Sequence, residues 1–372
     1  MKSLYEQVYE SLKNEIISSK YKVGDRVPSE TNLSEMFQVS RITSKKALEK
    51  LRNEGYVYRQ RGKGTFVASF QTSHKGTPHR NTDKPLFGLI VTNFNDSYGS
   101  KLITSIEKAS TDQCMVILKC SLGDAEREEK LVKELLDFGV DGLIVFPAQA
   151  EHYSSEILKM VVDKFPLVLI DRSFKGVAAT SVSTENEEAA KTGAHYLLDL
   201  GHEHIGVLIP ENFETTTIED RLNGIVNAFA EKKGIVNRDL WCSDIKSTLP
   251  TPLATKEEDI KVITQHLKNN PHITALFALE YNIAVLAKIA IQQLGFRVPE
   301  DISIICFDSP EWNDLQMDFT HLKQNEQELG QLAVKRLLDM HNGEFTIKKD
   351  RISAKLITGS STQQMNVIYP GS

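Results

Sequence analysis

Cysteine is scarce in this 372-residue chain. The four present, at 114, 120, 242 and 306, lie far apart, and three of them sit in or beside apolar runs. That spacing excludes a disulfide framework and the close pairs of a zinc knuckle, and it suits a reducing compartment. No stretch approaches the ~18 apolar residues of a membrane span, and the N-terminus lacks the apolar core of a secretory leader. A soluble, cytoplasmic protein is therefore expected. Neither a G-x-G-x-x-G nor a Walker-type sequence occurs, so no phosphate-cradling loop, and no cofactor, is expected. His202 and His204 in GHEHIG read as a helix-to-strand connection rather than a metal pair, and nothing else supplies a nucleophile or metal set for an enzyme. After Ser360 there is no leucine heptad, which argues against tetramerisation through a helix bundle.

Positive charge is also in deficit, with a net charge of −6, but the deficit is uneven. Residues 1–70 carry 13 Lys/Arg against 8 Asp/Glu, while the remainder carries 31 against 42. A basic head on an acidic body favours one DNA-facing end and a body that stays off the phosphates. The basic excess concentrates between Arg41 and Lys63, where eight Lys/Arg meet two Glu. Ser40 suits an N-cap, because its hydroxyl can accept from an unpaired N–H of the first turn. Ala47, Leu48 and Leu51 recur at helical spacing as a buried stripe, and Gly55 can close the helix. Arg41, Thr43, Lys45 and Lys46 fall off that stripe. YVYRQRGKGTFV then reads as two β-prone runs around a tight Gly62-Lys63-Gly64 turn.

Upstream, Leu4, Val8, Leu12 and Ile16 recur every four residues and predict a first amphipathic helix. Gly24, Pro28 and Ser29 break the chain, and Ser29 can cap a short second helix through Leu33, Met36 and Phe37. Helix, turn, short helix, turn, basic helix and wing is the order of a winged helix-turn-helix. Here residues 4–68 resemble the DNA-binding domain of GntR-type bacterial transcription regulators. The resemblance rests on Pro28-Ser29-Glu30, Val39-Ser40-Arg41, Ala47-Leu48, Leu51, Glu54-Gly55 and Gly62-x-Gly64-Thr65-Phe66-Val67. It implies that Glu30, Ser40, Arg41, Thr43, Lys45, Lys46, Arg61, Gly62 and Lys63 form the DNA face. Three departures stand out: Thr31 and Lys45 replace usual arginines, and Ser44 replaces a usual apolar residue. Lysine is a point charge without the arginine fork, so a relative's operator sequence does not carry over.

Residues 69–84, SFQTSHKGTPHRNTDK, have linker composition. From residue 85 onward, strand-like runs (86–91, 114–120, 141–146, 166–171, 204–209, 274–279, 302–307) alternate with helical segments (102–110, 126–138, 185–200, 220–233, 283–294, 326–340). Continuous apolar strands mean sheets covered on both faces, and this length suits two doubly wound α/β lobes. The expected domains are thus a head at 1–68, a linker at 69–84 and a two-lobed body at 85–372.

In open parallel sheets ligands bind outside the carboxyl ends of the strands. The residues there are Asn93, Asn95 and Asp96, then Asp171 and Arg172, then Glu280, then Asp308. Carboxylates and a guanidinium suit a ligand rich in hydroxyl groups. Any one of them could equally cap a helix; together they favour a polar cleft. The body, across 86–362, resembles the effector domain of lactose/galactose-type repressors, itself similar to periplasmic sugar-binding proteins. The motifs are FGLIV, DGLIVFP, PLVLIDR, VSTENEEAAKTGAHYLLDLGHEHIGVL, RLNGIVNAF, RVPEDISIICFDS, THLKQNEQELGQLAV and LITGSST. This resemblance implies ligand contacts from Asp171, Arg221, Asp308 and Gln324. Leu279-Glu280 departs from the family's usual Asn-Asp at that point.

A winged head on such a body resembles the arabinose-responsive repressors of Gram-positive bacteria. That resemblance implies a homodimer on a palindromic operator, released by a small sugar, with L-arabinose the leading effector. A transport-type solute-binding protein, and a regulator responding to a phosphorylated sugar or a nucleobase, are the alternatives.

Overall fold

The computed structural model describes residues 4–18, 20–22, 24–60, 64–68, 84–93, 96–148, 155–174, 176–211, 215–248, 252–310 and 318–365. Two compact units emerge. The expected linker lies outside the described residues, apart from Lys84.

The N-terminal unit contains α1 (Leu4–Ile17), α2 (Glu30–Met36), α3 (Arg41–Asn53), β1 (Val57–Gln60) and β2 (Gly64–Val67). Ser29 caps α2 by accepting from Asn32 N–H, and Ser40 caps α3 by accepting from Thr43 N–H, both at 3.2 Å. β1 and β2 pair antiparallel, Val57 opposite Val67 and Gln60 opposite Gly64. Val27 N–H donates to Thr65 O and Val67 N–H to Asp25 O, so the segment before α2 runs along the wing. Val8, Leu12 and Ile16 from α1 bury against Leu33, Ala47, Leu48, Leu51, Val57 and Val67. Two side chains expected inside are outside: Leu4 is 58% exposed and Met36 61%. Both stand at the extreme ends of their helices, beyond the packed core.

The second unit is built from two six-stranded sheets. In the first lobe the order is β13-β7-β6-β5-β3-β4, with all neighbours parallel. Its strands are β3 (Leu86–Val91), β4 (Met115–Cys120), β5 (Gly142–Val145), β6 (Leu167–Ile170), β7 (Thr180–Thr184) and β13 (Lys349–Ile352). Helices α4 (Asp96–Ser110), α5 (Ala125–Phe138), α6 (Ser155–Val162) and α11 (Glu326–His341) belong to this lobe. In the second lobe the order is β14-β12-β11-β10-β8-β9, and only β14 runs antiparallel to its neighbour. Its strands are β8 (Ile205–Pro210), β9 (Trp241–Ile245), β10 (Ala275–Ala278), β11 (Ser303–Phe307), β12 (Thr320–Lys323) and β14 (Lys355–Ile357). Helices α7 (Asn186–Asp199), α8 (Thr216–Glu231), α9 (Lys256–Asn269) and α10 (Tyr281–Gln293) complete it.

The seven expected strands are all present, and β7, β9, β12, β13 and β14 join them. These five carry Ser, Thr, Asp, His, Lys or Arg and never read as apolar runs. Their placement matters, because the chain passes between lobes after β7, after β12 and after β13. Three crossings side by side form a hinge. Close packing of α7 on α8 beside the first crossing depends on Gly224: a β-carbon there would collide with the Glu187 carbonyl.

Candidate functional site

In the N-terminal unit, α3 buries Ser44, Ala47, Leu48 and Leu51 and exposes Arg41, Lys45 and Lys46. Ser40 and Thr43 share a hydroxyl–hydroxyl hydrogen bond of 2.8 Å that fixes the first turn. Glu30 opens α2, and its carboxylate lies 3.6 Å from Arg59 on β1, joining the start of the helix pair to the wing strand. Ser44 is fully buried, and its hydroxyl has no hydrogen-bond partner among the described residues. Arg61, Gly62 and Lys63 lie outside the described residues. Capped helix, exposed cations and wing together make a surface suited to a DNA groove.

In the second unit, residues from both lobes line one cleft of about 130 Å³. The first lobe contributes Thr92, Asn93, Tyr98, Phe146, Asp171 and Arg172; the second contributes Thr217, Arg221, Glu280, Phe307, Asp308 and, from a crossing, Gln324. Asp171 and Asp308 occupy matching places just past β6 and β11, with φ of 67° and 59°. Aspartate is among the few side chains that tolerate this left-handed conformation, and it turns both carboxylates off the strand ends. Asn95 lies outside the described residues, and for Asp96 only its place at the start of α4 is described.

Arg221 is buried on α8. Its Nε donates to Asn186 Oδ1 at 2.8 Å and its Nη1 to Leu279 O at 2.7 Å. The guanidinium stacks over Phe307, with 3.6 Å from Cζ to the ring centroid. Burial pulls its pKa down, and the carboxylates of Asp308, Asp171 and Glu280 pull it back up. Asp308 is held up by burial despite Arg221 and the Gln324 hydrogen bonds. Burial, then the neighbouring Asp171 carboxylate, drives the Tyr98 phenol well above its usual range, so it stays a neutral hydroxyl. Arg172 points its Nη1 at Ala148 O (3.2 Å) and Pro147 O (3.4 Å), with Nε 3.6 Å from the Asp171 carboxylate. Glu128 holds the same turn from behind by accepting from Ala148 N–H at 2.7 Å, and burial pushes its pKa up to about 7.

Two contacts already span the cleft mouth: Thr217 Oγ1 donates to Asp171 O at 3.3 Å, and Ser173 N–H donates to Thr216 Oγ1 at 3.4 Å. Asp171, Arg172, Arg221, Glu280, Asp308 and Gln324 thus come together as one lining. Sequence reasoning missed Asn186, Thr184, Thr217 and Glu128. Asn186 and Thr184 were hidden because β7 is polar and the crossing after it gave no apolar signal. Thr217 follows a run of threonines whose only legible role is capping α8. Among the described residues there is no metal-ligand cluster, and no helix is long and apolar enough to cross a membrane.

A two-lobed cleft joined in one chain to a winged helix-turn-helix is the architecture of a DNA-binding regulator. Residues 4–67 match the family model for bacterial regulatory proteins of the gntR family, and residues 194–362 match that for the periplasmic binding protein-like domain. The chain thus joins a gntR-type regulatory domain to a periplasmic binding protein-like domain, and the curated relatives it matches are transcriptional repressors. An arabinose metabolism transcriptional repressor from Geobacillus stearothermophilus is 25% identical over 346 residues, covering 90% of each chain. A LacI-family transcriptional regulator from Enterococcus faecium, solved with bound ribose, superposes with a TM-score of 0.62 at 23% identity, over 76% of this chain and all of that one. The lac repressor dimer bound to operator and an anti-inducer gives 0.62 at 20% identity, over 76% of this chain and 96% of that one. At these identities the solved structures speak to the fold.

Proposed function

We propose that this protein represses sugar-utilisation genes in the cytoplasm and leaves its operator when a small sugar, with L-arabinose the leading choice, enters the cleft. The observation that carries the reading is the cleft lining. Asp171, Asp308 and Glu280 offer acceptors, while Arg221, Gln324 and Tyr98 offer donors, all within one cavity of about 130 Å³. Alternating acceptors and donors around a small volume suit a monosaccharide, whose hydroxyls both give and accept. Three carboxylates facing two guanidiniums disfavour a phosphorylated sugar. Whole-length similarity to an arabinose metabolism repressor supports the pentose.

On the DNA side, Arg41, Thr43, Lys45 and Lys46 of α3 approach the major groove, and Glu30, Ser40, Arg61, Gly62 and Lys63 are the further residues assigned to DNA contact. Two copies present two heads to a palindromic operator. Met115, Leu118 and Leu122 are 51%, 36% and 48% exposed along the edge strand β4 and its exit, and this edge of the first lobe is the dimer seat we favour. Sugar bound to both lobes tightens them about the three crossings and changes how the two bodies pair. A switch from 1:99 to 99:1 requires roughly 5.5 kcal/mol of differential binding across the dimer. Titration calorimetry with L-arabinose, other pentoses, hexoses and their phosphates tests the reading. Heat with a free monosaccharide and none with its phosphate is the expected result; saturable binding of a phosphorylated sugar alone overturns it.

A further inference from the structure

The outward face of α3 is charged except at its centre. Ile42 is 70% exposed and follows Arg41 in the first turn. The helix buries Ser44, Ala47, Leu48 and Leu51. At ~100° per residue, Ile42 lies ~160° round from Ser44 and ~120° from Leu48, so it points nearly opposite the core. Arg41, Lys45 and Lys46 surround it, all exposed. A single exposed apolar side chain on an ordinary surface needs no explanation. This one stands in the N-terminal turn of the second helix of a helix-turn-helix, the part that meets base edges. Isoleucine can neither hydrogen-bond a base nor neutralise a phosphate. The major groove has one apolar feature, the 5-methyl group of thymine.

We propose that Ile42 reads a thymine methyl group next to the base pair reached by Arg41, and so sets one position of the operator half-site. The assignment rests on α3 being the DNA-reading helix. β-Branching suits the task, because an isoleucine in a helix is held largely to one χ1 rotamer and presents a fixed apolar surface. Arg41 supplies the neighbouring polar contact, and Lys45 and Lys46 hold the helix to the backbone.

The test uses the full-length protein and a duplex enriched by it from a random-sequence pool. Each thymine of that duplex is replaced in turn by deoxyuridine, which removes the methyl group alone. At one position, repeated in both half-sites, the wild type should lose about fourfold in affinity, the worth of one buried methyl. Ile42→Ala should bind the thymine and deoxyuridine duplexes equally at that position, and Ile42→Val should keep part of the difference. Alanine raises helix propensity at this exposed position, so the head stays folded in the variant. Undiminished discrimination by Ile42→Ala overturns the proposal, as does a wild type that ignores every thymine methyl in a sequence it enriches. A protein that enriches no sequence overturns the DNA-reading assignment of α3 as well.

Discussion

Gln324 and Asp308 hold each other twice: the glutamine side-chain amide donates to one carboxylate oxygen at 2.7 Å, and its backbone N–H donates to the other at 3.3 Å. Gln324 stands on the crossing after β12, whereas Asp308 ends β11 inside the second lobe. The glutamine's own oxygen accepts at 2.7 Å from Oγ1 of Thr184, the last residue of β7 before the first crossing. From α8 of the same lobe, Arg221 reaches Asn186, whose amide donates to Thr184 O at 3.2 Å. The two strongest polar groups of the cleft are therefore tied to the same hinge residue. On the proposed function, an effector held by Arg221 and Asp308 would act on the crossings directly through these hydrogen bonds.

Thr184→Val tests that tie without touching the cleft. It keeps the shape and removes the donor to Gln324, leaving a buried amide oxygen unpaired at a cost of about 1–3 kcal/mol. Effector affinity measured by calorimetry should fall between a few-fold and a hundredfold. Operator affinity without effector should stay within about twofold. Unchanged effector affinity means that the crossing and the cleft are uncoupled.

Arg41 and Lys46 are expected to fail in different ways. Arg41→Ala should abolish operator preference while leaving the fold intact, since a bidentate arginine–base contact is worth ~1–3 kcal/mol. Lys46→Ala should weaken binding evenly across sequences and reduce the salt slope by about 0.9 if it meets one phosphate. Gel-shift titrations against specific and random duplexes at several salt concentrations separate the two. An Arg41→Ala protein with its preference intact contradicts the recognition-helix assignment.

Ser44 offers a stability test inside the head. Its hydroxyl is buried with no partner among the described residues, at the position where the resembled family places an apolar residue. Ser44→Ala removes a desolvated group that gives nothing back, and alanine is the better helix former. The first calorimetric transition should rise by the equivalent of about 1 kcal/mol; a fall means that the hydroxyl is serving a hydrogen bond after all.

Glu326 sets a pH dependence. Burial raises its pKa to about 7, with Asp308 adding to the effect and Lys101 and Lys323 opposing it, whereas an unfolded glutamate titrates near ~4.3. Between those values the folded protein keeps a proton that the unfolded chain has lost, so this residue makes stability fall as pH rises through that window. Glu326→Gln should remove about 1.4 kcal/mol per pH unit from the slope of unfolding free energy between pH 5 and 7. Urea unfolding at several pH values reads it directly, and parallel slopes in the two proteins contradict the assignment.

Which parts were legible in the sequence follows from which signals are local. Ser40, Ala47, Leu48 and Leu51 announce α3 because a cap and a 3.6-residue period are both read within a dozen residues. Asp171 and Asp308 were found because each ends an apolar strand, and strand ends are where such sheets bind ligands. Thr184 and Asn186 were not found. β7 reads TSVST, and nothing in that composition marks a lobe crossing. Glu128 looks like one more charge on an amphipathic helix until β5 brings Ala148 N–H to it. Arg59 likewise needed the folded wing before it could meet Glu30.

The most direct measurement of the account is release of DNA by sugar. Fluorescence anisotropy of a labelled operator duplex, bound by the full-length protein, is followed while L-arabinose is added, for the wild type and for Arg221→Ala and Asp308→Ala. The account predicts a saturable fall in anisotropy for the wild type. Both variants should bind operator normally and release it only at sugar concentrations roughly 5- to 150-fold higher, the loss of ~1–3 kcal/mol expected when polar groups are left unpaired in the cleft. Release of both variants at the wild-type sugar concentration would contradict the cleft assignment at the centre of the account.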